Sequence, residues 1–185
     1  MGASPSPQLP SVVYAVFCSP IDQPSVQRIF SGMANASAQN VKEILVLFQS
    51  LGGGVGDGIA LYNFFRALTT DLVLYNAAHV ASAALIAYLG AKKRKTSAYA
   101  TFGAHRTSSP ALAFEAGKLK TTLESLLLDD QRTEAILRKH ISIPEEKWTT
   151  LEHNLWFSAE DAVKFGLADE IAEFAPPIGS KIFNI

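Results

Sequence analysis

Three short runs of β-branched and aromatic residues, each followed by a stretch with helical spacing, constrain this chain more than any other feature. Val12 to Cys18 (VVYAVFC) and Ile44 to Phe48 read as strands buried on both faces, and Leu72 to Tyr75 as a third. Between them, Ser25 to Ala36 carries Val26, Ile29, Phe30 and Met33 at helical spacing. A second stretch, roughly Val55 to Leu68, sets Ile59, Tyr62, Phe65 and Leu68 on one face. Strand and helix in alternation imply an α/β fold with a mostly parallel sheet and right-handed crossovers. At 185 residues, 48% of them hydrophobic, one domain can bury a substantial core.

Beyond Gly90 the pattern loosens. Lys92-Lys93-Arg94-Lys95 reads as a solvated basic turn, and Ala98 to Ala104 as a short strand ending at His105. Thr107-Ser108-Ser109-Pro110 breaks the chain before a long helix, Leu112 to Lys139. Its leucines at 119, 123, 126, 127 and 137 call for a packing partner. Pro144 suits the first turn of a shorter helix. Ser158 with Asp161 reads as a helix start and Gly166 as its C-cap. The expected layout is a short flexible segment (1–11), a head (12–111 and 140–174), a helical arm (112–139) and a tail (175–185).

Composition removes several functional classes. Sixteen basic and 17 acidic residues give a net charge of −1, which offers nothing to nucleic acid or an anionic membrane. One cysteine, Cys18, rules out an internal disulfide framework and a multi-cysteine metal site, and its apolar surroundings suggest a buried, inert thiol. His79, His105, His140 and His153 lack metal-binding spacing, so neither metal nor cofactor is expected. Met1 to Pro10 has no basic start followed by an apolar core, and the chain is read as cytoplasmic. Leu72 to Ala91, the most apolar window, contains Asn76 and His79 and reads as buried soluble structure rather than a membrane span.

Within Asn76 to Ala87 (NAAHVASAALIA), Ser82 stands between a strand and an alanine-rich helix. A nucleophile at such a junction would have free backbone N–H groups beside it for a developing oxyanion. In isolation, a capping or small packing serine is the stronger reading. Gly52-Gly53-Gly54 after the second strand allows close approach of a ligand, or merely a turn with φ > 0. It lacks the residues of a phosphate loop. His105 ends a strand, and Glu152-His153-Asn154 precedes Trp156-Phe157.

In order and spacing, these segments resemble the proteolytic subunit of the bacterial Clp protease. The likeness rests on SLGGGVGDGIALYN (Ser50 to Asn63), HVASAA (His79 to Ala84) and EHNLWFSAEDAVKFGLADEI (Glu152 to Ile171), and covers about Val12 to Ile171. Gly53 to Ser82 is 29 residues (82 − 53) and His105 to Asn154 is 49 (154 − 105), both in the family's register. Ser82 to His105, at 23 (105 − 82), is two shorter, and the shortening falls in the turn near Gly90 to Arg94. The resemblance implies a ClpP/crotonase-type spiral of ββα units with a protruding long-helix handle. It implies a serine endopeptidase, with Ser82 as nucleophile, His105 as general base, and Gly53 and Ala83 as oxyanion donors.

Asn154 stands where the family has aspartate. A neutral amide can orient an imidazole but lends it no charge; in trypsin the Asp-to-Asn change costs about 10⁴ in kcat. Glu152, two residues away, is the candidate substitute acid, with His153 as the alternative. Three states follow: a weak or specialised Ser-His-Asn peptidase, a Ser-His-Glu variant, or a catalytically poor scaffold subunit. Leu51 in place of the family's proline, and Ala83-Ala84 in place of Met-Gly, imply an altered pocket wall. Arg106 to Pro110 replaces a glycine-rich substrate-binding strand. The resemblance also implies peptide or unfolded-protein substrates and heptameric rings, stacked as a tetradecamer through the handles. The short segment before the first strand argues against docking to a Clp ATPase. A crotonase-type acyl-CoA enzyme is the rival from another class, and Ser82 followed by His105 favours the peptidase.

Overall fold

The computed structural model describes residues 9–108, 115–149, 151 and 154–185. Strand β1 (Val12–Cys18), helix α1 (Gln23–Ala38), β2 (Glu43–Ser50), α2 (Val55–Ala67), β3 (Asp71–Ala81) and α3 (Ala83–Tyr88) form the regular first half. There follow β4 (Lys93–Thr96), β5 (Thr101–Ala104), α4 (Ala116–His140), α5 (Glu145–Trp148), β6 (Leu155–Phe157), α6 (Ala159–Phe165), β7 (Glu170–Ile171) and β8 (Ile182–Asn184). The main path of the sheet runs β6-β5-β3-β2-β1-β8, with β4 and β7 branching from β3. All pairings are parallel except β5 with β6. This is the expected α/β class.

The strands alternate rather than bury both faces. Val13, Ala15 and Phe17 of β1, and Ile44, Val46 and Phe48 of β2, face the helical layer, where Phe17 stacks on Phe48 at 5.0 Å. Their neighbours on the other face of β1 and β2 are half-covered; the ring of Phe174 packs on Tyr14 there and on buried Tyr75 of β3. Helix α1 begins with Asp22 and Ser25 capping each other's backbone N–H, which stabilises the helix by about 1 kcal/mol. Cys18 lies past the last inward position and is exposed, contrary to expectation.

The third strand runs 11 residues and serves two partners in turn on one edge. Val73 to Asn76 pair with β4, and His79 to Ala81 pair with β5. Asn76, fully buried, sits where the two partners diverge. Its amide donates to the Thr101 carbonyl at 2.9 Å and accepts from the Ala78 N–H at 3.1 Å, while its own carbonyl accepts from Ser97 N–H. Branching a sheet leaves backbone groups without ladder partners, and one buried amide can satisfy both a donor and an acceptor. The basic stretch expected as a turn is therefore strand β4. Its charges are held at the rim by Asp71, Glu43, Asp169 and Glu170.

The C-terminal residues are not a free tail. Ile182 to Asn184 pair in parallel with Tyr14 to Val16, and the Ile185 N–H donates to the Val16 carbonyl at 3.1 Å. Serine-capped α6 ends at Gly166 with φ 87°, as its sequence implies. The long helix begins at Ala116, after extended Glu115, and carries more than half-exposed Leu119, Leu123, Leu127 and Leu128; residues 109–114, which include its expected start at Leu112, lie outside the described residues. Leu137, nearer its C-terminus, is buried. Among the described residues no helix is long and apolar enough to cross a membrane.

Candidate active site

Ser82 occupies the one-residue joint between β3 and α3, at φ 57° and ψ −132°. A β-carbon is strained there, by about 1–3 kcal/mol, and such strain persists only where the surroundings enforce it. They do so on both sides. The Ser82 N–H donates to the Gly103 carbonyl of β5 at 2.8 Å, and its carbonyl accepts from Leu85 N–H at 2.9 Å. The Gly52 backbone presses so close that a β-carbon there would lie 2.6 Å from the Ser82 β-carbon. On α2, a β-carbon at Gly58 would lie 2.5 Å from the Ala83 carbonyl oxygen. Two glycines thus permit the sharp turn that presents this serine.

The glycine loop is pinned to the end of β1. Ile21 N–H donates to the Gly52 carbonyl at 2.9 Å, and Gly54 N–H to the Ile21 carbonyl at 2.8 Å. In an extended segment, adjacent peptide groups point in opposite directions, so the Gly53 N–H faces away from Ile21. Side chains are excluded at that position: a Gly53 β-carbon would meet the Ile21 carbonyl oxygen at 2.1 Å. Ala83, at the first position of α3, carries a first-turn N–H that the helix leaves without an internal acceptor.

Ser82, Gly53 and His105 line one cavity of about 80 Å³, walled by Leu85 and Ile86 of α3 and by Thr133 and Leu137 of α4. The sheet brings His105 there, one residue past β5. Its Nδ1 lies 2.6 Å from the carbonyl oxygen of Arg106. That oxygen can only accept, so Nδ1 carries the proton, which in the neutral ring leaves the lone pair on Nε2. Among the described residues Ser82 Oγ has no hydrogen bond to the ring.

Antiparallel pairing of Ala104 with Leu155 brings Asn154 abreast of His105, one step beyond the ladder. There the backbone of Asn154 turns to φ 65° and the residue is exposed, with no hydrogen bond to His105 among the described residues. Glu152 and His153 lie outside the described residues. Trp156, 56% exposed, covers Gly103, where a β-carbon would come within 2.7 Å of its ring.

Sequence reasoning did not find the polar contacts between the His105 segment and α4. Thr107 N–H donates to Asp130 Oδ1 at 2.6 Å, and Arg106 Nη1 to Glu134 Oε2 at 2.7 Å. Asp130, Thr133, Glu134 and Leu137 recur at helical spacing and form one stripe facing the site. The acids on this helix were legible as charges, but not as partners of a loop more than 20 residues away.

The other described histidines serve elsewhere. His79 is exposed, with Nδ1 2.8 Å from Thr101 Oγ1. His140, at the end of α4, accepts at Nδ1 from Arg94 Nη1 (3.2 Å) and faces Tyr62 Oη with Nε2 (2.9 Å). Burial, with Arg94, Lys139 and Arg66 nearby, holds its pKa down at about 4. Among the described residues no three His, Cys, Asp or Glu side chains converge as a metal set would.

The family model for Clp protease matches residues 9–175. The chain belongs to the Clp protease family. Among its relatives, the ATP-dependent Clp protease proteolytic subunit 1 of Streptomyces coelicolor is 26% identical over 156 residues, 82% of this chain and 70% of the relative. Among solved structures, an asparagine-to-aspartate mutant of ClpP1 from Listeria monocytogenes superposes with a TM-score of 0.73 at 18% identity. The match covers 89% of this chain and 92% of that one. The fold is therefore that of the Clp protease family.

Proposed function

We propose that this protein is a serine endopeptidase of the Clp type in which Ser82 attacks the peptide carbonyl and His105 acts as general base. The observation that carries the reading is the shared cavity: a serine on a strained strand–helix joint, a histidine and a close-packed glycine loop around one small space. As Ser82 Oγ bonds to the carbonyl carbon, its proton passes to His105 Nε2. The oxyanion faces the Gly53 and Ala83 N–H groups. Collapse returns the proton to the leaving amine, and a water activated in the same way releases the acyl group.

Asn154 keeps the family's third position and supplies an amide rather than a carboxylate. Its exposure, and the lack of a Ser82–His105 hydrogen bond among the described residues, favour weak hydrolysis in the isolated chain. A catalytically poor scaffold subunit is the second reading. The four exposed leucines of α4 support assembly through the handle, into the stacked rings that the family resemblance implies. The absence of any carboxylate among the described cavity-lining residues disfavours the acyl-CoA rival.

A fluorophosphonate probe tests the reading. It should modify Ser82 in the intact protein and leave Ser82→Ala unmodified. Equal signals from both proteins, with no peptide hydrolysis by either, would leave only the scaffold reading.

A further inference from the structure

The Arg106–Thr107 peptide group is hydrogen-bonded at both ends. Its carbonyl accepts from His105 Nδ1–H at 2.6 Å, and its N–H donates to Asp130 Oδ1 at 2.6 Å. One planar amide thus stands between an imidazole and a carboxylate. An amide whose N–H is drawn to an anion carries more negative charge on its oxygen, and hydrogen bonds in such a chain strengthen one another.

Asp130 is free to act in this way. Its neighbour Asp129 pairs with Arg132, and Glu134 is shared between Arg106 and Arg138. No cation pairs with Asp130 among the described residues, so its charge is not spent on an ion pair. The bond from Arg106 to Glu134, and that from Arg106 N–H to the Leu151 carbonyl at 3.2 Å, fix the same segment from two further directions.

We infer that Asp130 of α4 is a positioning residue for His105, lending it negative charge through the Arg106–Thr107 peptide group. The inference rests on the reading of His105 as the general base. It assigns to the handle helix the electrostatic support that Asn154 cannot give. It also fixes the ring in the tautomer a base needs, with the proton on Nδ1 and the lone pair on Nε2.

Selective ¹⁵N labelling of the histidines in the full chain, with His105→Gln to assign the signal, reads the tautomer directly. The Nδ1–H form should dominate in the unmodified protein at neutral pH. In Asp130→Asn the amide oxygen still accepts from Thr107 but the charge is gone, and the Nε2–H form should at least double, by an order-of-magnitude argument from the lost charge. Fluorophosphonate modification of Ser82 should slow about tenfold, the scale on which loss of an outer hydrogen-bond partner weakens histidines at metal sites. Asp130→Glu should restore most of the rate, and Asp129→Asn should alter neither signal. If Asp130→Asn does not fold, Asp130→Ser carries the same test.

An Nε2–H ring in the unmodified protein, or a spectrum and rate indifferent to Asp130→Asn, overturns the inference while leaving Ser82 labelling to support the peptidase. A spectrum that responds to Asp130 beside an unreactive Ser82 does the reverse: the relay stands and the peptidase reading falls.

Discussion

The two halves of the Ser82 cavity are built from different materials. On one side Ser82, the glycine loop and the first turn of α3 are positioned by backbone, locked where glycines let main chains touch. On the other side His105 lies beyond the end of a four-residue strand, and the Arg106–Thr107 segment after it is held by contacts to side chains of a helix that projects much of its surface into solvent. Close-packed backbone has one arrangement available, whereas part-exposed polar contacts are worth little individually and can exchange. The comparison teaches that the Ser82 and Gly53 side is fixed within the chain by its own backbone. The His105 side depends on what α4 does.

Gly53→Ala strikes the rigid half hardest. With Ile21 oxygen 2.1 Å from the new β-carbon, the loop must move, and we expect about 100-fold slower Ser82 acylation together with about 3 kcal/mol lost in urea unfolding. A variant of ordinary stability and reactivity would show that this half is not rigid. Asn154→Asp should act on the other half only. It sets a carboxylate abreast of His105 and should raise probe modification by about tenfold without shifting the urea midpoint. An unchanged rate would remove residue 154 from the machinery.

Acid separates the halves without mutation. The pKa of His140, held at about 4, lies below its ordinary value near 6.5, so the unfolded chain takes up the proton first. The stabilisation is complete above pH 6.5 and is lost as pH falls toward 4. Allowing for screening at this half-exposed site, it amounts to about 1–2 kcal/mol. Hydrogen exchange should therefore quicken in α4 and the His105 segment before it does in β1 to β3. His140→Gln should flatten that dependence; uniform loosening would argue against two separable halves. The smallest effect is expected at the handle surface. Leu123→Gln and Leu127→Gln should alter monomer stability by about 0.5 kcal/mol or less, while light scattering reports a smaller assembly.

The same division decides what the sequence alone could reveal. Burial periodicity made the first three strands, α1 and α2 legible, because each depends on local patterning; the Gly53–Ser82 register was read only through the family resemblance. Cys18 came out exposed because alternation, not uniform burial, governs β1. Lys93 to Thr96 hid as a turn because its strand character comes from pairing with β3 and β7, and four polar residues carry no strand pattern of their own. The strand at Ile182 was concealed likewise, being defined by its partner β1. Asp130 could be seen as a charge, but its bond to Thr107 N–H required the path of a loop that no periodicity encodes.

One ring described at the sheet edge equips the molecule with an optical probe. The chain has two tryptophans. Trp148 is 5% exposed and lies against the Arg138 guanidinium at 4.3 Å, while Trp156 is 56% exposed and covers the glycine whose carbonyl holds Ser82 N–H. Iodide should quench the second and spare the first. The quenchable fraction of the emission then reports on the strand next to Ser82, so any covering of that edge can be followed in the unlabelled protein by its colour and lifetime.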